Sequence, residues 1–587
     1  MTLAREAGAL ALAIYLLAGS GLACAEEDTT LTVTIEGLES RLRDNAAAYL
    51  EINQLAGKPV ASESRLRWLH QRARDDIRHA LEPFGFYKPT IDADLTQTAS
   101  GWRANYKVDP GPPLRVTKLD LQVLGEGAKD PAFKQSLDKL PLARGQVFEH
   151  SRYEKIKQTL QGLATERGYF NARMLVNEIR VNPTTYTAEV TLHFDTGNRY
   201  HFGPINFHQN ALAPELLRRY LDSQTGDPYE VATLLKLQSD LINSDYFNQV
   251  EVDGDPDKAV DQSIPVDVKL QPNKARKYTL GLGYGTDTGV RAKLGMQGRW
   301  INRWGHRYDT ELLASQIQYG IAGKYIIPGK DPRTDSFALD ANLLKQSIST
   351  QESLSAAIGF SKQYQRGSWL KISSLRYQRE TFDFSSTPQQ TTGLLIPSLN
   401  WTYVNVNADE RLHPADGGRF NLVLQGALQP LLSDMSFLQV AVGGKWIKTL
   451  SPKGRLILRG NSGTTATSDF DKLPATLRFY AGGDNSVRGY SFDSIGPKNA
   501  QGDVIGGKNL LVASAEYEHR LWDKWSIAGF VDSGDAFDQG KPQLKTGVGF
   551  GLHWLSPVGP VRVDLASGLN RPPGDSIRLH LTIGPDL

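Results

Sequence analysis

The sequence predicts a mixed fold, with three small α+β domains followed by a sixteen-stranded antiparallel transmembrane β-barrel. Three observations lead to this prediction. A pattern of roughly 80 residues occurs three times in the first half of the chain. The second half alternates polar and apolar residues, and turn residues separate the alternating segments. The N-terminus has the features of an export signal.

The composition agrees with a large membrane-associated protein. The chain has 587 residues, more than one ordinary domain contains. Its 66 Lys and Arg balance 64 Asp and Glu, which argues against a nucleic-acid-binding protein. Mean hydropathy is negative, but transmembrane barrel strands alternate polar and apolar residues and therefore look soluble on average. A soluble β-sandwich would alternate in the same way, and chain length together with the export signal favours the barrel.

Residues 1–25 are predicted to be a signal peptide. Arg5 precedes an apolar stretch, and the small residues Ala23 and Ala25 on either side of Cys24 suit cleavage. Two alternatives are a retained anchor helix and a lipid-modified Cys24. Cys24 is the only cysteine, so the cleaved chain would contain no disulfide and no thiolate metal ligand.

Each repeat has an alternating segment, two helical stretches, a small residue followed by two aromatic residues, and two further alternating segments. The small residues are Gly85, Gly168 and Asp245. We expect a glycine here to adopt left-handed geometry and end the second helix, which gives a β-α-α-β-β unit. Such units either pair extended client or partner segments at their sheet edges or act only as spacers. The predicted domains are residues 29–113, 114–198 and 199–274, with the barrel at 275–587.

The chain ends on a predicted strand, Ile577 to Ile583, which must pair with a first strand near Tyr278 to Tyr284 if the barrel is to close. Alternate glycines in the first strand weaken its packing, so the seam between the two strands could open sideways. Alternatively, these glycines make room inside the lumen. The predicted seam residues are Leu280, Gly281, Leu282, Gly283, Tyr284, Leu579, Leu581 and Ile583.

A glycine-rich segment, residues 482–490, contains one arginine in the sequence Val487-Arg488-Gly489-Tyr490. Downstream, the alternation of residues 525–534 turns Phe530 and Asp532 towards the lumen. An arginine on an inward-folded loop could pair with Asp532 and fix that loop. The predicted loop–barrel contact consists of Arg488, Phe530, Asp532 and Gly534.

Taken together, these motifs resemble the BamA/TamA superfamily of barrel-assembly proteins and two-partner-secretion pores. The repeats are similar to its POTRA domains. The arginine loop and residues 529–534 resemble its lumen motif, and residues 549–564 and 409–418 also fit the family. Three repeats and the ending at 583–587 are most similar to the TamA family, because BamA-like chains carry more repeats and secretion pores usually carry two.

The resemblance implies an outer-membrane barrel with its POTRA domains in the periplasm. Arg488 would contact Phe530 and Asp532, and the first and last strands would form a lateral gate in contact with outer-membrane lipid. The first POTRA domain would bind a large inner-membrane-anchored protein resembling TamB. The expected clients are unfolded autotransporters and other outer-membrane proteins, and lipid traffic is a further possible role. No nucleic-acid partner and no cofactor are expected.

Other classes of function fit less well. The sequence has no nucleophile elbow, phosphate loop or paired-histidine metal helix, so neither catalytic residues nor a metal site are expected. A passive porin does not need three periplasmic units. We therefore expect a protein that assists insertion or secretion of outer-membrane proteins. The alternatives are a two-partner-secretion pore and a general BamA-like assembly factor.

Overall fold

The structure is a computed structural model. It describes residues 30–99, 101–348, 351–384, 388–406, 413–557, 559–571 and 577–583. The predicted signal peptide with Ala23 and Ala25 lies outside the described residues, as do residues 407–412 and 584–587. The chain forms two compact units, of which one holds the first two small domains and the other holds most of the third domain with the barrel.

The first small domain is a β-α-α-β-β unit whose three-stranded sheet has the order β1-β3-β2. Helix α2 begins where the Ser62 hydroxyl accepts a hydrogen bond from the Arg65 backbone N–H. Leu66, Leu69 and Ile77 recur on one face of that helix and are buried in the domain core. The elements are β1 (Thr30–Glu36), α1 (Ser40–Tyr49), α2 (Glu63–Leu81), β2 (Thr90–Thr98) and β3 (Gly101–Asp109).

The second and third domains repeat this order, with sheets β4-β6-β5 and β7-β9-β8. The second domain contains β4 (Arg115–Leu124), α3 (Pro131–Asp138), α4 (His150–Glu166), β5 (Arg173–Asn182) and β6 (Thr187–Asp195). The third contains β7 (His201–His208), α5 (Pro214–Arg218), α6 (Val231–Asn243), β8 (Phe247–Asp253) and β9 (Ser263–Pro272). None of the helices in the described ranges has the length and apolar character needed to cross a bilayer.

The small residue after the second helix adopts left-handed geometry in all three domains. The backbone φ is 91° at Gly85, 80° at Gly168 and 62° at Asp245. Glycine tolerates this conformation because it lacks Cβ, and aspartate is among the few other residues that adopt it readily. The predicted end of the helix and the β-α-α-β-β order are therefore confirmed.

The barrel is a sixteen-stranded sheet in which each strand is antiparallel to the next, which confirms the predicted fold class. Its first eight strands are β10 (Arg276–Gly285), β11 (Gly289–Gly298), β12 (Arg307–Ser315), β13 (Gln318–Pro328), β14 (Asp335–Ile348), β15 (Gln351–Arg366), β16 (Trp369–Phe384) and β17 (Gln390–Asn405). The others are β18 (Gly417–Ala427), β19 (Phe437–Ser451), β20 (Gly454–Ala466), β21 (Asn509–Trp522), β22 (Trp525–Phe537), β23 (Lys545–Ser556), β24 (Gly559–Gly568) and β25 (Ile577–Ile583).

Strand β15 shows how the alternation divides the two faces of the barrel wall. Ser353 and Ser355 are buried, whereas Leu354, Ile358 and Phe360 are exposed. Successive side chains of a strand point to opposite faces, so the polar side chains line the lumen and the apolar ones face outward. An apolar outer face and a polar interior are what a bilayer-spanning barrel requires.

The third domain contacts two barrel turns at the end of the barrel where β10 begins. The Arg333 guanidinium, in the turn between β13 and β14, donates to Asp222 Oδ1 at 2.8 Å and to Asp240 Oδ2 at 3.0 Å. The Tyr246 hydroxyl donates to the carbonyl oxygen of Gly305, between β11 and β12, at 2.5 Å. Arg307 lies over the Tyr246 ring, 4.3 Å from its centroid. The third domain is thus held by both charged and aromatic contacts.

Candidate functional site in the lumen and at the seam

The loop between β20 and β21, residues 467–508, folds back into the lumen. Val487, Arg488 and Tyr490 are buried, and Val487 and Tyr490 belong to a small apolar core with Ala481 and Val512. Gly489 has φ 91°, and a Cβ at this position would lie 2.8 Å from the Gly568 backbone nitrogen. The loop can approach β24 this closely because glycine stands there.

Arg488 is the centre of the loop–barrel contact. Its guanidinium makes a two-point contact with Asp532, in which Nε lies 2.7 Å from Oδ2 and Nη2 lies 3.0 Å from Oδ1. Nη1 donates to Glu516 Oε2 at 2.7 Å and to Asp564 Oδ2 at 2.9 Å. The guanidinium carbon lies 3.3 Å from the centroid of the Phe530 ring. One buried cation therefore joins three carboxylates on β21, β22 and β24 and stacks on an aromatic ring.

Further polar side chains hold these carboxylates in place. The Ser514 hydroxyl donates to Asp532 Oδ1 at 2.6 Å. His553 Nε2 lies 3.1 Å from Asp564 Oδ1, and its Nδ1 lies 3.0 Å from Glu518 Oε2. Arg455 also donates to Glu518 Oε2, at 2.9 Å. This polar network extends from the loop across five neighbouring strands, β20 to β24, so moving the loop disturbs the inner wall of the barrel.

Gly534, the fourth residue of the predicted contact, lies beside the loop and not beside the guanidinium. A Cβ at Gly534 would be 3.1 Å from the Val487 side chain and 2.9 Å from the Leu511 carbonyl oxygen. The absence of a side chain at this position therefore lets Val487 pack against the wall.

At the seam, the predicted apolar residues face outward. Leu280 and Leu282 on β10 are 74% and 78% exposed, and Leu579 and Ile583 on β25 are also exposed. The sequence predicts that β25 pairs with β10, but the described residues form an open sheet that runs from β10 to β25 without a ladder between these two strands. The Leu581 backbone N–H of β25 donates instead to the hydroxyl of Thr286, the residue after β10, at 3.1 Å.

The two seam glycines differ in what surrounds them. A Cβ at Gly283 would lie 2.8 Å from Arg291 Nε, so glycine there makes room for an arginine in the lumen. A Cβ at Gly281 would meet Lys293 Cβ at an ordinary 3.7 Å. The interpretation that the glycines make space fits Gly283, whereas Gly281 has space for a side chain and contributes little packing to the edge strand.

Two groups of acidic and histidine side chains bring possible metal-donor atoms within 4.8 Å of one another. They are Asp287 with Asp484 and His580, and Glu516 with Glu518 and His553. Asp484, Glu516 and Glu518 already accept hydrogen bonds from Thr286, Arg488 and Arg455, respectively. Since these oxygens are engaged by protein donors, we assign neither group to a metal.

Five residues of the site were not assigned to it from the sequence, namely Glu516, Asp564, His553, Asp484 and His580. Alternation in β21 and β24 turns Glu516 and Asp564 to the same face as Asp532, so the inward acidic residues were open to prediction. The contact between Asp484 and His580 could not be predicted from the sequence, because it depends on how deeply the loop enters the lumen.

Gly547→Ala is expected to displace the arginine loop without removing any of its charges, because a Cβ at this position would collide with the Arg488 carbonyl oxygen. Gly529→Ala is the matched control, since a Cβ there meets nothing within 4 Å. The measurement is the temperature at which the folded barrel is lost on a semi-native gel. We expect a lower temperature for Gly547→Ala and no change for Gly529→Ala. Equal temperatures for both variants and the wild type would contradict the close approach of loop and wall.

A sixteen-stranded barrel with an inward-folded arginine loop, preceded by β-α-α-β-β domains, defines the class of POTRA-bearing outer-membrane barrel proteins. The chain belongs to the Omp85 superfamily, whose domain matches residues 275–586. Residues 32–110 match the POTRA domain TamA domain 1, and residues 200–272 match the POTRA family described as a surface antigen variable number repeat. The barrel is located in the outer membrane and the POTRA domains in the periplasm.

Individual relatives support the same family. The outer membrane protein assembly factor BamA of Neisseria meningitidis serogroup B is 22% identical over 558 residues, covering 83% of this chain and 69% of that protein. BamA of Nitratidesulfovibrio vulgaris is 24% identical over 361 residues, covering 57% of this chain and 44% of that protein. The crystal structure of BamA from Haemophilus ducreyi lacking POTRA domains 1–3 is similar in fold, with a TM-score of 0.68 at 19% identity, covering 80% of this chain and 99% of that one.

Proposed function

We propose that this protein assists the insertion or secretion of other outer-membrane proteins through the seam between β10 and β25. The proposal rests on the free edge of β10, which forms no ladder with β25 in the described residues. Leu280 and Leu282 of this strand are exposed. An edge strand offers backbone N–H and C=O groups to an incoming strand. Inside a bilayer such groups have no water to bind, so pairing with a client strand is strongly favoured there.

We further propose that the protein acts in the manner of the TamA family, together with a large inner-membrane-anchored protein resembling TamB. The match of the first domain to a TamA POTRA domain supports this finer assignment. In the first domain β1 is an edge strand, since the sheet order is β1-β3-β2. Residues 57–58 already bond the backbone of Leu31, so the edge that is offered to a partner begins after Leu31, where Thr32 is exposed. An extended partner segment would add to this edge by strand pairing. The proposed clients are autotransporters and other outer-membrane proteins.

Site-specific cross-linking in the intact cell envelope tests this assignment. Cys24 is the only cysteine, so a Cys24→Ser background carrying Thr32→Cys, close to Ile35 on β1, has a single reactive thiol. Lys107→Cys is the matched control, because Lys107 is exposed on the central strand β3 of the same sheet. We expect Thr32→Cys, but not Lys107→Cys, to capture one large inner-membrane-anchored protein.

Other products of that experiment point to the alternatives. Capture of a single secreted substrate would favour a two-partner-secretion pore. Normal client insertion with no inner-membrane partner at either position would favour a general assembly factor like the BamA relatives. Either result would overturn the TamA-like assignment and leave the family membership unchanged.

A further inference from the structure

The seam is bridged by side chains at the C-terminal end of β10. Thr286, which directly follows β10, accepts a hydrogen bond from the Leu581 backbone N–H of β25 at 3.1 Å. Its hydroxyl proton is directed to Asp484 Oδ1, at 3.0 Å. The same hydroxyl therefore connects the first strand, the last strand and the lumen loop.

Asp484 also binds the last strand directly. Its Oδ1 lies 2.5 Å from His580 Nδ1, and both side chains are buried. The other ring nitrogen, His580 Nε2, accepts a hydrogen bond from the Gly489 backbone N–H at 2.9 Å. A ring whose Nε2 accepts has its proton on Nδ1, so His580 donates that proton to Asp484.

The backbone of Asp484 makes a contact of its own with the first strand's turn. The Asp484 N–H donates to Asp287 Oδ2 at 2.6 Å. Asp484 is thus held by Thr286 and Asp287 on one side of the seam and by His580 on the other. The next residue of β25, Leu581, completes the bridge through Thr286.

We infer that Asp484 is a latch that keeps the seam shut at this end, with Thr286 and His580 as the positioning residues on either side. The inference rests on the proposed function, because it assigns a control to the seam proposed there. The two strands cannot separate at this point while Asp484 stays bound to both. Opening therefore requires the loop to release Thr286 or His580.

The latch also links the seam to the buried arginine. Asp484 and Arg488 lie in the same short segment of the loop, residues 483–490, and Gly489, directly after Arg488, donates to His580. A client or lipid that displaces this segment would act on the Arg488 network and on the seam together. The structure thus assigns the loop a second task beyond filling the lumen, namely holding the two edge strands together.

The test measures the separation of the two strands in the full-length protein reconstituted in lipid nanodiscs. Spin labels on Leu282→Cys and Leu579→Cys, both outward-facing and exposed, report the distance between β10 and β25 in a Cys24→Ser background. We compare Asp484→Ala, Thr286→Val and a control, Asp471→Ala, which changes an exposed aspartate of the same loop. No client is present, so the result does not depend on whether the protein inserts other proteins.

Loss of a hydrogen bond to a charged group is expected to raise the population of the longer distance by about tenfold. Asp484→Ala and Thr286→Val should both show this change, and Asp471→Ala should match the wild type. Thr286→Val leaves the contact between Asp484 and His580 in place, so it decides the question if Asp484→Ala does not fold. An unchanged distance distribution in Thr286→Val would overturn the latch.

Discussion

Arg488→Ala is expected to destabilise the barrel strongly, because three carboxylates would remain in the lumen without their central cation. The Arg488 guanidinium binds the carboxylates of Asp532, Glu516 and Asp564. Arg488 is only 5% exposed. Removing one partner of a buried ion pair costs about 3–5 kcal/mol. The measurement is the temperature at which the folded form disappears on a semi-native gel, together with the yield of inserted client.

Arg488→Lys and Arg303→Ala are the matched variants for this experiment. Lysine retains the charge but cannot make the two-point contact with Asp532, so we expect an intermediate loss of heat stability. Arg303 is exposed on the turn between β11 and β12, and its loss should leave the temperature unchanged. Wild-type heat stability and client insertion in Arg488→Ala would contradict the role of the buried network.

Arg333→Ala is expected to release the third POTRA domain from the barrel while the barrel itself stays folded. Arg333 joins the turn after β13 to Asp222 and Asp240 of that domain, and it also binds Asp331 of its own turn. Loss of the Arg333 contacts should make residues 273–275, which connect β9 to β10, more accessible to a protease. We expect trypsin to cut after Lys274 about tenfold faster, as for a segment that opens more often.

Lys236→Ala is the control for this variant. Lys236 binds the same two aspartates, Asp222 and Asp240, but belongs to the third domain and makes no bridge to the barrel turn. Cleavage after Lys274 should therefore stay close to the wild-type rate. Equal cleavage rates for Arg333→Ala and Lys236→Ala would contradict the role of Arg333 in holding the third domain to the barrel.

The contact of Arg333 with Asp222 also predicts that docking of the third domain depends on pH. The Arg333 hydrogen bond holds the pKa of Asp222 at about 2, below its ordinary value of 3.8. A carboxylate whose pKa is lowered by folding contributes its stabilisation above the ordinary pKa and loses it as the pH falls through the lowered value. Docking of the third domain should therefore be unaffected near neutral pH and weaken between about pH 4 and pH 2. Hydrogen–deuterium exchange of the backbone amides of residues 273–276, measured across this pH range, would reveal the weakening.

Much of the architecture was predictable because it follows from local patterns. Alternation with period two gives the barrel strands, and a small residue after each second helix gives the left-handed turn at Gly85, Gly168 and Asp245. The boundaries of the domains stay a prediction. The alternation of side chains along a single strand was enough to predict that Phe530 and Asp532 face the lumen, because this prediction needs no knowledge of distant residues.

The rest of the site depends on contacts between segments far apart in the sequence. The sequence does not say that the 467–508 loop reaches His580, or that Thr286 takes up the N–H of Leu581. The same holds for Arg333, which lies on an ordinary turn and gains its role from the third domain packed beside it. Such contacts depend on the curvature of the whole sixteen-stranded sheet, which no local pattern contains.

We propose that client strands pair with β10 at the seam. Disulfide trapping of a nascent outer-membrane client tests this pairing, with one cysteine in the client's last strand and another at Leu282 of β10. Ile358 on β15 is the control, because it is also exposed and outward-facing but lies in the middle of the wall. We expect a cross-link at Leu282→Cys and none at Ile358→Cys. Equal trapping at both positions, or none at Leu282→Cys while the client is still inserted, would contradict it.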